Sequence, residues 1–185
     1  MDALLSVCKG KSVAIVGNGP SILDNKNGSF IDSHDIVVRF NNFSTIGYEE
    51  YTGKRTDIWV SSFWEREVIA HPCLDSFSLV ICPFPAYNGK PSFSQINREL
   101  AESCGSSYIP REIYNGVESI VSSASSGCVF LFWLYKLFGK IPKESLFGFS
   151  FFDPTKSHHY FEDTPRVDSD HKGEEEKNFI RSILQ

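Results

Sequence analysis

The chain has 185 residues, of which 41% are hydrophobic and 22% are charged, and its formal net charge is −5. Its length suits a single globular domain, residues 1–185, that buries one hydrophobic core. A net acidic chain lacks the basic excess of nucleic-acid-binding proteins, so we do not expect nucleic acid as a partner.

The five cysteines show no CxxC spacing, and no histidine pair of metal-ligand type lies near them. We therefore expect no metal site and a reducing compartment. No stretch reaches the roughly 18 apolar residues of a membrane span, and the start of the chain lacks the pattern of a signal peptide. These features predict a cytoplasmic protein without a transmembrane segment, for which peripheral contact with the inner membrane stays open.

Hydrophobic patterning predicts strands that alternate with helices. Short apolar, β-rich runs predict buried parallel strands at 12–16, 35–40, 57–61, 78–82 and 146–149. Helical spacing predicts helices at 93–103, 127–138 and 174–184. This order is typical of an α/β domain with a mainly parallel twisted sheet flanked by helices.

The first strand ends at the turn Gly17-Asn18-Gly19-Pro20-Ser21, where Ser21 is a candidate N-cap of a helix. A glycine-rich turn of this kind lets a phosphate approach the N–H groups of a helix N-terminus. The dinucleotide fingerprint requires a third glycine where Ile22 stands, and the P-loop lysine is absent. Taken alone, the turn fits a nucleotide loop and an ordinary strand-to-helix connection equally well.

Four blocks of residues, in chain order, resemble the motifs of the family-29 sialyltransferases. The segments 13–19, 31–35, 38–41 and 53–56 resemble the long donor-binding motif, whereas the spelling Gly-Asn-Gly-Pro-Ser is closer to the bacterial sialyltransferases of family 42. The resemblance implies that the loop Gly17, Asn18 and Gly19, together with Asn41, contacts the nucleotide. Neutral amides can hold cytidine monophosphate (CMP) without adding charge.

The second block is Ser125-Ser126-Gly127, an apolar helix and then Leu146-Phe147-Gly148-Phe149, and it is similar to the family's short motif, in which a turn of three residues opens the helix. The resemblance implies that all three residues bind the donor. Hydroxyl and N–H groups at a helix N-terminus suit a phosphate or a carboxylate, although serines in this position also serve as ordinary caps.

The third and fourth blocks are His159-Tyr160-Phe161-Glu162 and His171 with Glu176. The resemblance implies that His159 and Tyr160 stabilise charge on the leaving phosphate, the alternative being a half-buried aromatic loop. It makes His171 the general base that deprotonates an acceptor hydroxyl. Without the other blocks, His171 is better explained as a solvated loop residue. Glu176 is expected to orient a loop or cap a helix and is assigned no chemical step.

The resemblance implies a GT-A-like, Rossmann-type fold and an inverting, metal-independent transfer without a cofactor. The donor is a CMP-sugar carrying sialic acid or Kdo, and the acceptor is a hydroxyl of a glycan or glycolipid. A single phosphate on the leaving group makes metal independence physically plausible. Ser12 and Phe138 occupy the positions where animal relatives carry a disulfide, which is therefore expected to be absent.

Two other functions remain open on the sequence. The first is a CMP-binding module without transferase activity, a shortened relative that lost its acceptor site. The second is an unrelated nucleotide-binding α/β enzyme, such as a dinucleotide oxidoreductase or a methyltransferase. His34 is predicted to have a structural role in its turn.

Overall fold

The computed structural model describes residues 2–63, 76–85, 101–103, 105–151, 157–161 and 172–185. The strands in these ranges are β1 (Val13–Val16), β2 (Ile36–Phe40), β3 (Ile58–Val60), β4 (Leu79–Cys82), β5 (Ser107–Tyr108) and β6 (Leu146–Phe147). The α-helices are α1 (Ala3–Cys8), α2 (Gly28–Asp32), α3 (Glu49–Thr52), α4 (Arg111–Glu118), α5 (Ser126–Phe138) and α6 (Gly173–Ile183). Within the described ranges, 3-10 helices span Pro20–Asp24 and Lys143–Ser145.

The six strands form one sheet in the order β5-β4-β3-β2-β1-β6, and every neighbouring pair is parallel. Successive residues of the central strands point to opposite faces, and both faces are buried. On one face, Ile15, Val38 and Ile58 pack in a large core with α5 and α6. On the other, Ala14 and Val37 pack in a smaller cluster with Tyr160.

The predicted α/β architecture with a parallel sheet is confirmed. All five predicted strands are present, each shorter by one or two residues. The helices predicted at 127–138 and 174–184 are also confirmed as α5 and α6. Of the helix predicted at 93–103, residues 101–103 are helical and the rest lies outside the described residues.

Several short elements were not predicted, because they are too short to show a hydrophobic period. They are β5, with two residues, and the helices α1 to α4, with four to eight. Helices of this length depend on tertiary packing and not on their own sequence.

Helix α5 runs behind the sheet for 13 residues, and seven consecutive side chains from Cys128 to Leu134 are buried. Ser125 caps it by accepting a hydrogen bond from the Cys128 N–H (3.2 Å), and Gly139 follows its last turn with φ 82°. No helix within the described ranges has the length and apolar character needed to cross a lipid bilayer.

The order of the strands determines where a ligand can bind. Strand β1 lies between β2 and β6, and Val16 is in register with both Arg39 and Phe147. The chain therefore leaves β1 toward one side of the sheet and returns on the other, which makes the carboxyl ends of β1 and β6 a topological switch point. Open α/β sheets bind their ligands at such points.

Candidate functional site

The glycines after β1 serve to pack two loops together. The Gly17 N–H donates to the Phe147 carbonyl and the Gly19 N–H to the Gly148 carbonyl, both at 2.8 Å. A Cβ at Gly17 would lie 2.7 Å from Gly148 O, and one at Gly19 would lie 2.4 Å from the Ser150 hydroxyl. Only glycine fits this approach. The two N–H groups are thus engaged by the loop after β6 and are not offered to a phosphate.

The prediction that Ser21 caps an α-helix is wrong. The turn leads into the 3-10 helix Pro20–Asp24, whose N-cap is Gly19. The Ser21 N–H donates to Ser150 Oγ (3.1 Å), and Ser150 Oγ donates in turn to Ser21 Oγ (2.9 Å). Contact with the loop after β6 therefore takes the place of a helical turn, and the loop has no α-helix dipole behind it.

Asn18 joins the loop after β1 to the loop after β2. Its side-chain amide donates both hydrogens, one to the Phe40 carbonyl and one to the Asn42 carbonyl, each at 2.9 Å. Within the described ranges no group donates to Asn18 Oδ1. What this side chain can offer a ligand is therefore a carbonyl acceptor.

Asn41 stands at the end of β2 with φ 48°, a left-handed conformation that asparagine tolerates better than most residues. Its Oδ1 accepts from the Ser62 N–H (3.1 Å) and the Ser62 hydroxyl (3.2 Å). Its carbonyl accepts from the Trp59 indole N–H (2.8 Å). No acceptor among the described residues contacts Asn41 Nδ2, so this side chain offers a ligand the opposite group, an N–H donor.

The Ser125-Ser126-Gly127 turn is held by Glu176, a carboxylate that is only 2% exposed. Glu176 Oε1 accepts from the Ser125 N–H and Oε2 from the Ser125 hydroxyl, both at 2.7 Å. The expectation that Glu176 orients a loop is confirmed. Burial first, and then the charges of Glu176 and Glu118, raise the pKa of the Cys128 thiol on the first turn of α5.

Because Ser125 both caps α5 and binds Glu176, its side chain is committed to the scaffold. The neighbouring Ser126 hydroxyl has no hydrogen-bond partner in the part of the chain that the structure describes. The ring of Phe149 lies 3.2 Å from where a Cβ of Gly127 would be and 3.3 Å from that of Gly17. Phe149 therefore brings the start of α5 beside the loop after β1.

The third block also reaches this edge, but by a different contact from the one expected. The Tyr160 N–H donates to the Asn18 carbonyl at 2.9 Å. The Tyr160 hydroxyl accepts from the Ser44 N–H (3.2 Å) and donates to the Ser44 carbonyl. The His159 ring stacks on Phe161, with centroids 5.0 Å apart and planes 21° apart. Tyr160 is therefore engaged with the loop after β2.

The structure thus gathers three of the four predicted blocks at one edge of the sheet. His171 and Glu162 lie outside the described residues, so the role of His171 as general base stays a prediction. Two residues shape the site without having been assigned a role in it: Ser150, which holds Ser21, and Phe149, which fills the space between the loop after β1 and the start of α5. Phe149 ends the strand predicted at 146–149 and Ser150 follows it, and that position is the signal by which their roles could have been found.

Comparison with known proteins agrees with this arrangement. Residues 7–66 match the model of glycosyltransferase family 29, described as sialyltransferase. This segment of the chain is similar to the family 29 sialyltransferases. The matched segment holds β1, β2 and β3 with the loops that carry Asn18 and Asn41.

Individual relatives match over about a third of the chain. A type 2 lactosamine alpha-2,3-sialyltransferase of Rattus norvegicus is 41% identical over 63 residues, which are 34% of this chain and 18% of the rat protein. A beta-1,6-galactosyltransferase, GALT29A, of Arabidopsis thaliana is 39% identical over 62 residues, which are 34% of this chain and 15% of that protein. The matches therefore span less than a fifth of either relative.

A solved structure extends the likeness to the whole fold. The crystal structure of a mammalian sialyltransferase superposes with a TM-score of 0.59 at 18% identity, covering 98% of this chain and 72% of that one. This confirms the expected GT-A-like fold.

The remaining residues of the family 29 segment have structural roles. The Arg39 guanidinium is 1% exposed, and its Nε donates to the Arg55 carbonyl and the Thr56 hydroxyl, both at 3.0 Å. Burial lowers its pKa to about 10, so Arg39 still carries its charge at neutral pH. Gly53 has φ 72°, and a Cβ added at this position would lie 2.4 Å from Asp32 Oδ1.

His34 has the structural role expected of it. It is 8% exposed, and its Nδ1 lies 2.9 Å from the Phe30 carbonyl, one helical turn earlier. Its carbonyl accepts from Arg55 (2.7 Å). Much of the matched segment therefore consists of residues that hold the loops at the carboxyl ends of the strands in place.

Proposed function

We propose that the chain is a sialyltransferase-like glycosyltransferase that moves an acidic sugar from a CMP-sugar donor to a hydroxyl of a glycan or glycolipid. The observation that carries this proposal is the pair Asn18 and Asn41 at the switch point of the sheet. Their amides are fixed by the backbone so that one presents an acceptor and the other a donor.

This polarity assigns a different partner to each amide. Asn18 Oδ1 would repel a phosphate oxygen and instead suits a hydroxyl or amino group, such as a ribose hydroxyl or the exocyclic amine of cytosine. Asn41 Nδ2 suits a phosphate oxygen or a base carbonyl. A nucleoside monophosphate presents both kinds of group a few ångströms apart, and neither asparagine changes the net charge of the site.

The start of α5 supplies a second group for the phosphate. Ser126 contributes a hydroxyl at the N-terminus of a 13-residue helix, where partial positive charge and N–H groups favour an anion. Ser125 acts indirectly, because Glu176 and the Cys128 N–H engage its hydroxyl. Gly127 leaves room for the Phe149 ring beside the turn.

The chemistry proposed for the site is an inverting displacement without a metal. His171 accepts the proton of the attacking hydroxyl, while the sugar passes through an oxocarbenium-like transition state and CMP departs with the bonding electrons. His159 donates a hydrogen bond to the departing phosphate, and its stacking on Phe161 limits the orientations of the imidazole. One phosphate carries less charge than a diphosphate, which reduces the need for a divalent ion.

A second donor class has one specific observation in its favour. The Arabidopsis relative is named a galactosyltransferase, although it matches this chain over nearly the same length and at nearly the same identity as the rat sialyltransferase. Sequence similarity at this level does not by itself select the sugar. UDP-galactose is therefore the alternative donor, and Kdo remains an alternative to sialic acid.

A transfer assay with a matched binding experiment tests the proposal. The chain is incubated with CMP-sialic acid, CMP-Kdo or UDP-galactose and a panel of galactose-terminated glycans, and mass spectrometry detects the product. In parallel, calorimetry measures binding of CMP and of UDP. We expect CMP binding and transfer from a CMP-sugar. CMP binding without hydrolysis or transfer would indicate a binding module, and binding of UDP without CMP would overturn the donor assignment.

We propose a cytoplasmic location on the basis of the cysteines. Cys8 and Cys128 are buried thiols outside any disulfide, as a reducing compartment allows. Mass spectrometry of the protein isolated under thiol-trapping conditions tests this, and a disulfide found in it would contradict the location.

A further inference from the structure

Tyr160 links two loops that are distant in sequence. Its backbone N–H binds the Asn18 carbonyl in the loop after β1, and its hydroxyl binds both backbone groups of Ser44 in the loop after β2. The ring is 7% exposed and packs edge-on against Tyr48, with centroids 5.0 Å apart. Both ends of this residue are therefore used inside the protein.

Several side-chain contacts fix the loop from Asn41 to Ser44. Ser62 binds the Asn41 side chain, Asn18 binds the Asn42 carbonyl, and Tyr160 binds Ser44. The first two contacts come from within the family 29 segment, whereas Tyr160 comes from 116 residues further along the chain. Since Asn41 adopts a left-handed backbone, its orientation depends on how firmly the residues after it are fixed.

We propose that Tyr160 is a positioning residue, which fixes the 41–44 loop so that Asn41 Nδ2 faces the nucleotide, and that it does not itself contact the donor phosphate. This inference rests on the proposed function, because it concerns the same nucleotide site. Of the adjacent residues His159 and Tyr160, it leaves only His159 to contact the leaving phosphate.

The charge state of the hydroxyl agrees with this role. Burial raises the pKa of the Tyr160 hydroxyl, and the positive charge of Arg39 offsets part of this increase. The phenol is therefore protonated at neutral pH and can donate to the Ser44 carbonyl while it accepts from the Ser44 N–H. A group with both functions engaged has little left for a phosphate.

Tyr160→Phe tests the proposal, with Tyr48→Phe as the matched control. Both variants remove one phenol oxygen from the same aromatic pair, but among the described residues no hydrogen bond to the Tyr48 hydroxyl is found. For Tyr160→Phe, which removes both hydrogen bonds to Ser44, we expect CMP to bind about 10-fold more weakly and the KM for the CMP-sugar to rise about 10-fold, which corresponds to about 1.4 kcal/mol, with kcat changed less than about threefold. Tyr48→Phe should leave both within about twofold.

Other results would overturn the inference. A large fall in kcat with unchanged CMP affinity would place the hydroxyl on the leaving phosphate. Unchanged CMP affinity and unchanged kcat would leave Tyr160 with a role in stability alone. If the wild-type chain binds no CMP, the proposed function itself fails, which is a separate observation from the comparison of the two variants.

A second measurement covers the case in which Tyr160→Phe does not fold. Tyr160 is replaced by 3-fluorotyrosine, which keeps the ring and the hydroxyl, and the fluorine resonance is followed while CMP or cytidine is added. A positioning residue predicts the same shift at saturation with either ligand. A shift with CMP that cytidine does not reproduce would show a phosphate beside the hydroxyl and contradict the proposal.

Discussion

The contact between Glu176 and Ser125 gives the sharpest test of how the donor turn is built. Glu176→Ala removes two hydrogen bonds of 2.7 Å to a charged acceptor and leaves the Ser125 N–H without its partner. Hydrogen bonds to charged groups contribute about 1.5–3 kcal/mol each, and the recovered cost of burying the carboxylate offsets part of this sum. We expect a loss of about 3 kcal/mol, which lowers the Tm of a chain of this size by about 6–12 °C.

The neighbouring Glu175 provides the matched control for this experiment. It binds the Ser122 N–H and hydroxyl in the same way, but at 3.1 Å and on the surface. Surface substitutions usually change stability by less than about 0.5 kcal/mol, so Glu175→Ala should shift Tm by no more than about 2 °C. Thermal unfolding followed by circular dichroism measures both variants. Equal shifts for the two would refute the claim that the buried carboxylate holds the turn.

Three further predictions concern the base, the glycine loop and the thiols. His171→Ala should lower transfer about 100-fold or more while CMP still binds, and unchanged turnover would remove His171 from the mechanism. Gly19→Ala places a Cβ 2.4 Å from the Ser150 hydroxyl and should cost about 1–3 kcal/mol in urea unfolding; a neutral result would mean that the loops separate readily. Burial raises the pKa of Cys8 from 9.0 to about 11, so the folded state retains a proton that the unfolded state loses. Stability should therefore fall by about 1.4 kcal/mol per pH unit per thiol as the pH rises above about 9, and Cys8→Ser should reduce that slope.

The strands and long helices could be predicted because their apolar residues are continuous or periodic over several residues. Most residues of Val13 to Val16 and Ile36 to Phe40 are buried, on both faces of the sheet, as runs that are apolar apart from Arg39 indicate. Helix α5 likewise follows from its apolar run and its capping serine.

The use of the glycine loop could not be predicted, because it depends on a segment far away in the sequence. Gly17 and Gly19 approach Gly148 and Ser150, some 130 residues later, and no local pattern shows that contact. The same holds for Tyr160, whose partner Ser44 is 116 residues away. Residue types revealed that these positions matter, but their hydrogen-bond partners decide whether they face a ligand or the protein.

The central claim is that the Asn41 amide donates a hydrogen bond to CMP, with the phosphate as the expected acceptor, and a calorimetric titration of wild type and Asn41→Asp tests it most directly. Aspartate keeps an oxygen for Ser62 and tolerates the left-handed backbone, but it replaces the N–H donor with a negative charge. We predict that wild type binds CMP and that Asn41→Asp weakens this binding about 10- to 100-fold, the effect of losing about 1.5–3 kcal/mol, with cytidine much less affected. Equal CMP affinity in the two proteins, or no CMP binding by wild type, would contradict the account.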